Sequence, residues 1–198
     1  MPGAQMALAG DALAELRLCK DAAEIAELRK AIVISEAALS ATIEAIQPGM
    51  TEREIAGLLV VEQLKRGGGK HPFEPIVLTG PNSASPHGEP GDRVVAPGEP
   101  ILFDFGTSVS GYASDITRVF SLGTPSPRLK EVYDVVKAAN EAGCKAAKPG
   151  VAAQDVDRIT RKVVEDAGFG PYFTHRRGHG LGLEAHEQPN IVEGSTQI

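Results

Sequence analysis

The sequence predicts a mixed α/β domain built from two similar halves, each running helix, helix, then strand. Three observations carry this. Apolar residues recur at three- and four-residue intervals in two pairs of segments; the second pair repeats the first at an offset of 101 residues; and between the pairs lie two strand-like runs that each hold an aspartate.

Asp21, with Glu24 three residues later, forms a capping-box start, and Ile25, Leu28, Ile32, Leu39, Ile43 and Ile46 mark a helix that stops at Pro48-Gly49. Thr51 with Glu54 opens a second helix through Ile55, Leu58 and Leu59, and Gly67-Gly68-Gly69 ends it. Pro75 to Thr79 reads as the first strand, and the turn-rich loop that follows, 80–100, contains His87. Ile101 to Phe105 and Tyr112 to Phe120 read as two strands joined around Val109, Ser110 and Gly111. Ser126 caps and Pro127 starts a third helix, with Leu129, Val132, Val136 and Ala139 on one face and Pro149-Gly150 at its end. A fourth spans 155–167 and ends at Gly168.

The offset aligns Leu28 with Leu129, Ala38 with Ala139, Ala45 with Ala146, Pro48-Gly49 with Pro149-Gly150 and Gly67 with Gly168. Conservative matches of Ile34 with Val135, Ile55 with Val156 and Leu58 with Ile159 extend it through both helices. The strands of both halves are expected to form one sheet covered by the helices, with a cleft between the halves. On the same offset the counterpart of Asp104 falls beyond Ile198, so the second half reads as lacking its hairpin.

If the turn centres between Val109 and Ser110, the ladder sets Asp104 directly opposite Asp115. Like charges roughly 5 Å apart destabilise a sheet, so the pair calls for a shared proton or a cation between the side chains, and hard divalent cations take carboxylate oxygens readily. Aspartate is a poor strand former, and Leu102, Phe103, Phe105 and Ile116 make these strands apolar, which argues for a chemical role. A second polar constellation, H-R-R-G-H-G-L-G-L-E-A-H-E-Q-P-N, begins at His175. His175 and His179 have the four-residue spacing of a helical zinc motif, but Gly178, Gly180 and Gly182 favour a strand that leaves His179 and His186 free to bind. The carboxylate pair alone also fits a retaining glycosidase, although the histidines and the lack of tryptophan weigh against it.

Composition bounds the alternatives. A chain of 198 residues, 42% hydrophobic and 23% charged, can bury a full core, and it has no apolar run long enough for a membrane span. The net charge of −6 comes without a basic stripe, which argues against nucleic acid; Arg176-Arg177 alone is no such patch. Cys19 and Cys144 lack metal spacing and read as buried small residues in a reducing compartment. The N-terminus shows neither a basic region nor a long apolar one, so no export signal is expected and the cytoplasm is the expected location.

Taken together, P-H-G-E-P-G-D-R with His87, D-F-G with Asp104, S-D-I-T-R with Asp115, and G-H-G-L-G-L-E-A-H-E-Q-P with His179 and His186 resemble the pita-bread metallopeptidases of the methionine aminopeptidase and prolidase type. The last two motifs look more like the Xaa-Pro branch, prolidase and aminopeptidase P. The resemblance covers Asp21 to Asn190 and implies a pseudo-twofold α/β fold around one curved, mostly antiparallel sheet. It implies that Asp104, Asp115 and His179 are metal ligands, with Asp115 bridging two ions of manganese, cobalt or zinc, and that His87 and His186 are the outer catalytic histidines. The implied substrate is a peptide with proline at the second position, and the possible assembly is a homodimer. By this match Glu187 has no ligand role and serves in an ion pair or at the surface, while Arg177 stands where a small polar residue is usual and is expected to crowd the metal site. Two further glutamate ligands of the family have no counterpart here, so weakened metal binding and hydrolysis are expected, with a non-catalytic peptide- or protein-binding module as the alternative. Residues 1–20 read as a linker or the remnant of a preceding domain, and 21–198 as a peptidase-like domain without its last strands.

Overall fold

The computed structural model describes residues 10–198, the side chains of Asp11 and Ala12 excepted. Met1 to Ala9, part of the expected linker, lie outside the described residues. The element order is α1 (Gly10–Leu18), α2 (Ala22–Ala45), α3 (Glu52–Lys65), β1 (Ile76–Thr79), β2 (Pro100–Phe105), β3 (Ser108–Val109), β4 (Tyr112–Ala113), β5 (Ile116–Ser121), α4 (Pro127–Ala146), α5 (Ala153–Asp166), β6 (Gly178–Gly180) and β7 (Glu187–Ile191).

The helix starts follow their caps. Asp21 accepts from the Ala23 and Glu24 amides while Glu24 accepts from the Asp21 amide, and Thr51 and Glu54 exchange the same bonds at the head of α3. Ser126 accepts from the Leu129 amide, with Pro127 opening α4. The helix pairs repeat at the expected offset. α2 and α4 end at Ala45 and Ala146, and α3 and α5 begin at Glu52 and Ala153 and end at Lys65 and Asp166. The glycines that turn the chain after them, Gly49 and Gly150, Gly67 and Gly168, all have φ between 83° and 97°, which a side chain would strain.

The core lies between α2, α3 and the hairpin. Ile101, Phe103 and Phe105 alternate inward along β2 and meet Ala38 and Leu39 of α2, Ile55 and Leu59 of α3, Val77 of β1 and Ile116 of β5. The buried stripe of α2 is Ala31, Ser35, Ala38, Leu39 and Thr42, whereas Ile25 and Ile32 of the expected stripe are 40% and 36% exposed. Small residues let the sheet approach this helix, so its closest face is not its most apolar one. Cys19 and Cys144 are free thiols, but both are exposed instead of buried. No helix among the described residues is long and apolar enough to cross a membrane.

All strand pairing is antiparallel, yet it divides among three sheets: β1-β2-β5, β3-β4 and β6-β7. The single sheet expected from the two halves is therefore not continuous in hydrogen bonding among the described residues, because β6 bonds only to β7. The register also differs from expectation. Asp104 lies opposite Thr117 and Phe105 opposite Ile116, with Val109 opposite Tyr112 at the tip. The turn centres between Ser110 and Gly111, both at positive φ (52° and 89°), which matches the right-handed twist of a two-residue hairpin. Moving the centre by one residue moves the pairing by two. Asp104 and Asp115 thus keep the same face but become diagonal neighbours instead of direct partners.

Candidate functional site

The site forms where the outer face of the β2–β5 hairpin meets the β6–β7 hairpin. Phe103 and Phe105 point into the core, so Asp104 between them points the other way. Asp115 precedes β5 at a pinch in the hairpin: a Cβ at Gly106 would lie 1.9 Å from the Ser114 carbonyl oxygen, so only glycine lets the strands close here. Beneath the pinch, buried Ser114 exchanges a 2.8 Å hydrogen bond with Ser35 of α2 and accepts from the Thr107 amide. The backbone that aims Asp115 is thereby fixed to a core helix.

His179 stands in the middle of β6. A Cβ at Gly180 would lie 2.1 Å from the Gln188 carbonyl oxygen, so glycine is what allows β7 to approach. The Ala113 amide donates to the Gly182 carbonyl, 2.8 Å, which ties the carboxylate hairpin to the histidine segment. Across this junction His179 Nε2 lies 3.4 Å from Asp115 Oδ2, with the side chains 17% and 22% exposed. His179 Nδ1 donates to the Gly180 carbonyl, 2.9 Å, which fixes the tautomer and leaves Nε2 turned toward the carboxylate. The His186 ring packs against that of His179 at 4.2 Å, and His87 reaches the same place from its own loop, with its ring 5.6 Å from that of His175.

The charges act on one another. Burial, and next the charge of Asp115, push the Asp104 carboxyl above its usual range, against the pull of Thr117, His179 and His186. Burial likewise raises Asp115, opposed by His179. Burial lowers His186, joined by His179 and Arg176 and by a smaller effect of His87, while Asp104 opposes them. All five residues singled out from the sequence thus share one electrostatic neighbourhood. Two more join them. His175 and Arg176, set aside as a disfavoured helical spacing and as no basic patch, lie beside the outer histidines: the His175 ring stands edge-on to His87, and Arg176 acts on the His186 imidazole while donating to Asn190 Oδ1 at 2.6 Å. Their position just before the glycine-spaced His179 was the available signal. Arg177, expected to crowd the site, turns instead toward α5 and donates to Thr160 Oγ1.

Asp104 Oδ1 is buried and has no hydrogen-bond partner. An orphaned carboxylate oxygen beside a second carboxylate and an imidazole lone pair is a donor set suited to a divalent cation. As the side chains stand, no group of three or more His, Cys, Asp or Glu among the described residues is gathered closely enough to hold an ion.

Residues 26–198 match the model of metallopeptidase family M24. The chain is 41% identical over 189 residues to the Xaa-Pro dipeptidase of Lactobacillus delbrueckii subsp. lactis, covering 95% of this chain and 51% of that protein. It is 38% identical over 196 residues to a putative dipeptidase of Bacillus subtilis, covering 99% and 54%. Its fold superposes on the X-Pro aminopeptidase of Thermotoga maritima with a TM-score of 0.92 at 42% identity, over 94% of this chain and 53% of that one. The prolidase of Pyrococcus furiosus gives 0.91 at 37% identity, over 94% and 56%. The chain belongs to metallopeptidase family M24 and has the pita-bread fold, within the Xaa-Pro dipeptidase-like group. It spans about half the length of these relatives.

Proposed function

We propose that this chain carries a metal-dependent exopeptidase site directed at peptides with proline in the second position, acting in the cytoplasm. The observation that supports it best is the unpartnered Asp104 Oδ1 on the same face as Asp115, beside a His179 whose Nδ1 proton is already given to Gly180. Asp104, Asp115 and His179 would hold the metal. Bound divalent ions of the manganese, cobalt or zinc type supply Lewis acidity toward a peptide carbonyl and lower the pKa of water. His87 and His186 reach the site from separate segments and orient the substrate by hydrogen bonds to the scissile amide. His179 keeps its lone pair on the site because the Gly180 carbonyl fixes its tautomer.

A second reading, a non-catalytic module that binds peptides or proteins, is favoured by one observation: no three ligating side chains are gathered tightly among the described residues. Equilibration with manganese followed by dialysis separates the two readings. Retained manganese that is lost in Asp115→Ala, together with release of proline from an Xaa-Pro dipeptide, supports the peptidase. Manganese-independent peptide binding without hydrolysis supports the module.

A further inference from the structure

Glu52, the first residue of α3, is fully buried and forms no ion pair among the described residues. Its carboxylate accepts instead from the Thr79 amide at 2.7 Å, the Thr79 hydroxyl at 3.2 Å, the Asn82 side-chain amide at 3.1 and 3.2 Å, and the Gly91 amide at 3.0 Å. These donors come from both ends of one loop. Thr79 and Asn82 lie where the chain leaves β1, Gly91 lies where it returns, and His87 sits between them. A buried carboxylate is costly unless its oxygens are satisfied, so this arrangement ties the ends of the loop together.

The internal repeat shows what the carboxylate adds. At the head of α3 the Glu52 and Arg53 amides donate to the Arg93 and Gly91 carbonyls, and at the head of α5 the Ala153 and Gln154 amides donate to Gln197 and Ser195 in the same pattern. In the second half the same backbone bonds and an Arg158–Glu193 ion pair at the surface seat the returning chain, and alanine stands in the place of Glu52, so no buried carboxylate is used there. The halves differ in how they present their histidine. His186 precedes β7 in a paired hairpin, β6–β7, whereas His87 lies in a loop without strand partners.

We propose that Glu52 is the positioning residue for His87, standing in for the strand pairing that supports His186. The proposal rests on the reading of His87 as a working residue of the site, and it assigns Glu52 no contact with substrate or metal.

The test uses metal-free protein and proton NMR of the imidazoles, with His87 assigned through His87→Asn. In the wild type the His87 signals should carry a ring-current displacement from the edge-on His175 ring. In Glu52→Gln, whose Nε2 cannot accept from the Gly91 or Asn82 donors, the His87 signals should move to the free-imidazole position while those of His186 stay. The Thr79 and Gly91 amides should lose about tenfold or more in exchange protection. Asn82→Ala, which removes one exposed-side donor and leaves α3 intact, should give a smaller displacement of the same sign and serves alone if Glu52→Gln does not fold. Unmoved His87 signals in either folded variant would overturn the proposal, as would equal movement of the His87 and His186 signals. No readout needs metal or hydrolysis, so a chain that proves inactive leaves the positioning role fully testable, and an active chain with unmoved His87 signals refutes that role alone.

Discussion

At the scale of single residues, Asp104 is the site's least satisfied group. Its Oδ1 has no partner, burial and the charge of Asp115 both disfavour its ionised form, and the nearby imidazoles compensate in part. On the proposed reading, such a residue costs the folded chain stability in return for affinity toward a cation. Replacing it by asparagine removes the like charge while keeping the shape. Asp104→Asn should therefore raise metal-free stability at neutral pH by about 1 kcal/mol in urea unfolding, and should abolish manganese retention. A loss of stability instead would mean that the carboxylate is already well paired without metal. The aspartates and the glycine-spaced histidines were legible because each breaks a local rule: a carboxylate in an apolar strand, glycine in a strand interior. Glu52 broke none. A glutamate in the first turn of a helix is ordinary, and only its burial against the loop gives it weight.

At the scale of elements, capping boxes and helix ends were legible because their signals lie within four residues of one another. Hairpin register was not, since it depends on which two residues take positive φ, and Val109-Ser110 and Ser110-Gly111 differ little by composition. The turn itself can be tested. Gly111 sits at φ 89°, and an added Cβ would meet Leu183 at an ordinary 3.5 Å, so the cost of a side chain is in the backbone alone. Gly111→Ala should lower stability by about 1 kcal/mol, and Ser110→Gly should not. The same scale holds the tie between α1 and the site. Glu187, next to His186, pairs with Arg17 and Lys20 and has a side chain only 7% exposed. Burial raises its pKa, but Lys20, the Glu184 amide and Arg17 together bring it below the usual glutamate range. A carboxyl depressed in the folded state stabilises above its unfolded pKa and loses that contribution as pH falls through the folded value. Protection of the α1 amides against exchange should hold at neutral pH and decay below the usual carboxylate range. Glu187→Gln should lack this step and show the weaker protection throughout.

At the scale of the whole molecule, the two halves share a plan but not a core. A cavity of about 520 Å³ opens along α4 and α5, lined by Val132, Val136, Ala139, Thr160 and Val164 among others. One offset earlier stand Ala31, Ser35, Ala38, Leu59 and Gln63, all buried beneath the carboxylate hairpin and its neighbours. Equivalent positions therefore lie within a filled core in the first half and along a cavity in the second, where Ala139, Thr160 and Val164 stay buried at its floor. Val136 is 56% exposed where Ser35 is fully buried. The repeat was legible from spacing, but its unequal packing was not, because an offset in sequence says nothing of what covers each helix. Stability should follow the packing. Ile55 belongs to the main cluster and its counterpart Val156 does not, although both are buried. Ile55→Ala should cost about 3–4 kcal/mol and Val156→Ala about 1–2, a gap wider than one methylene explains. Native-state hydrogen exchange should then show α4 and α5 opening together at lower free energy than α2 and α3, whose amides exchange only on global unfolding. Equal protection in both pairs would mean that the second half draws its stability from contacts other than this apolar face, and the two substitutions would then cost alike per methylene removed.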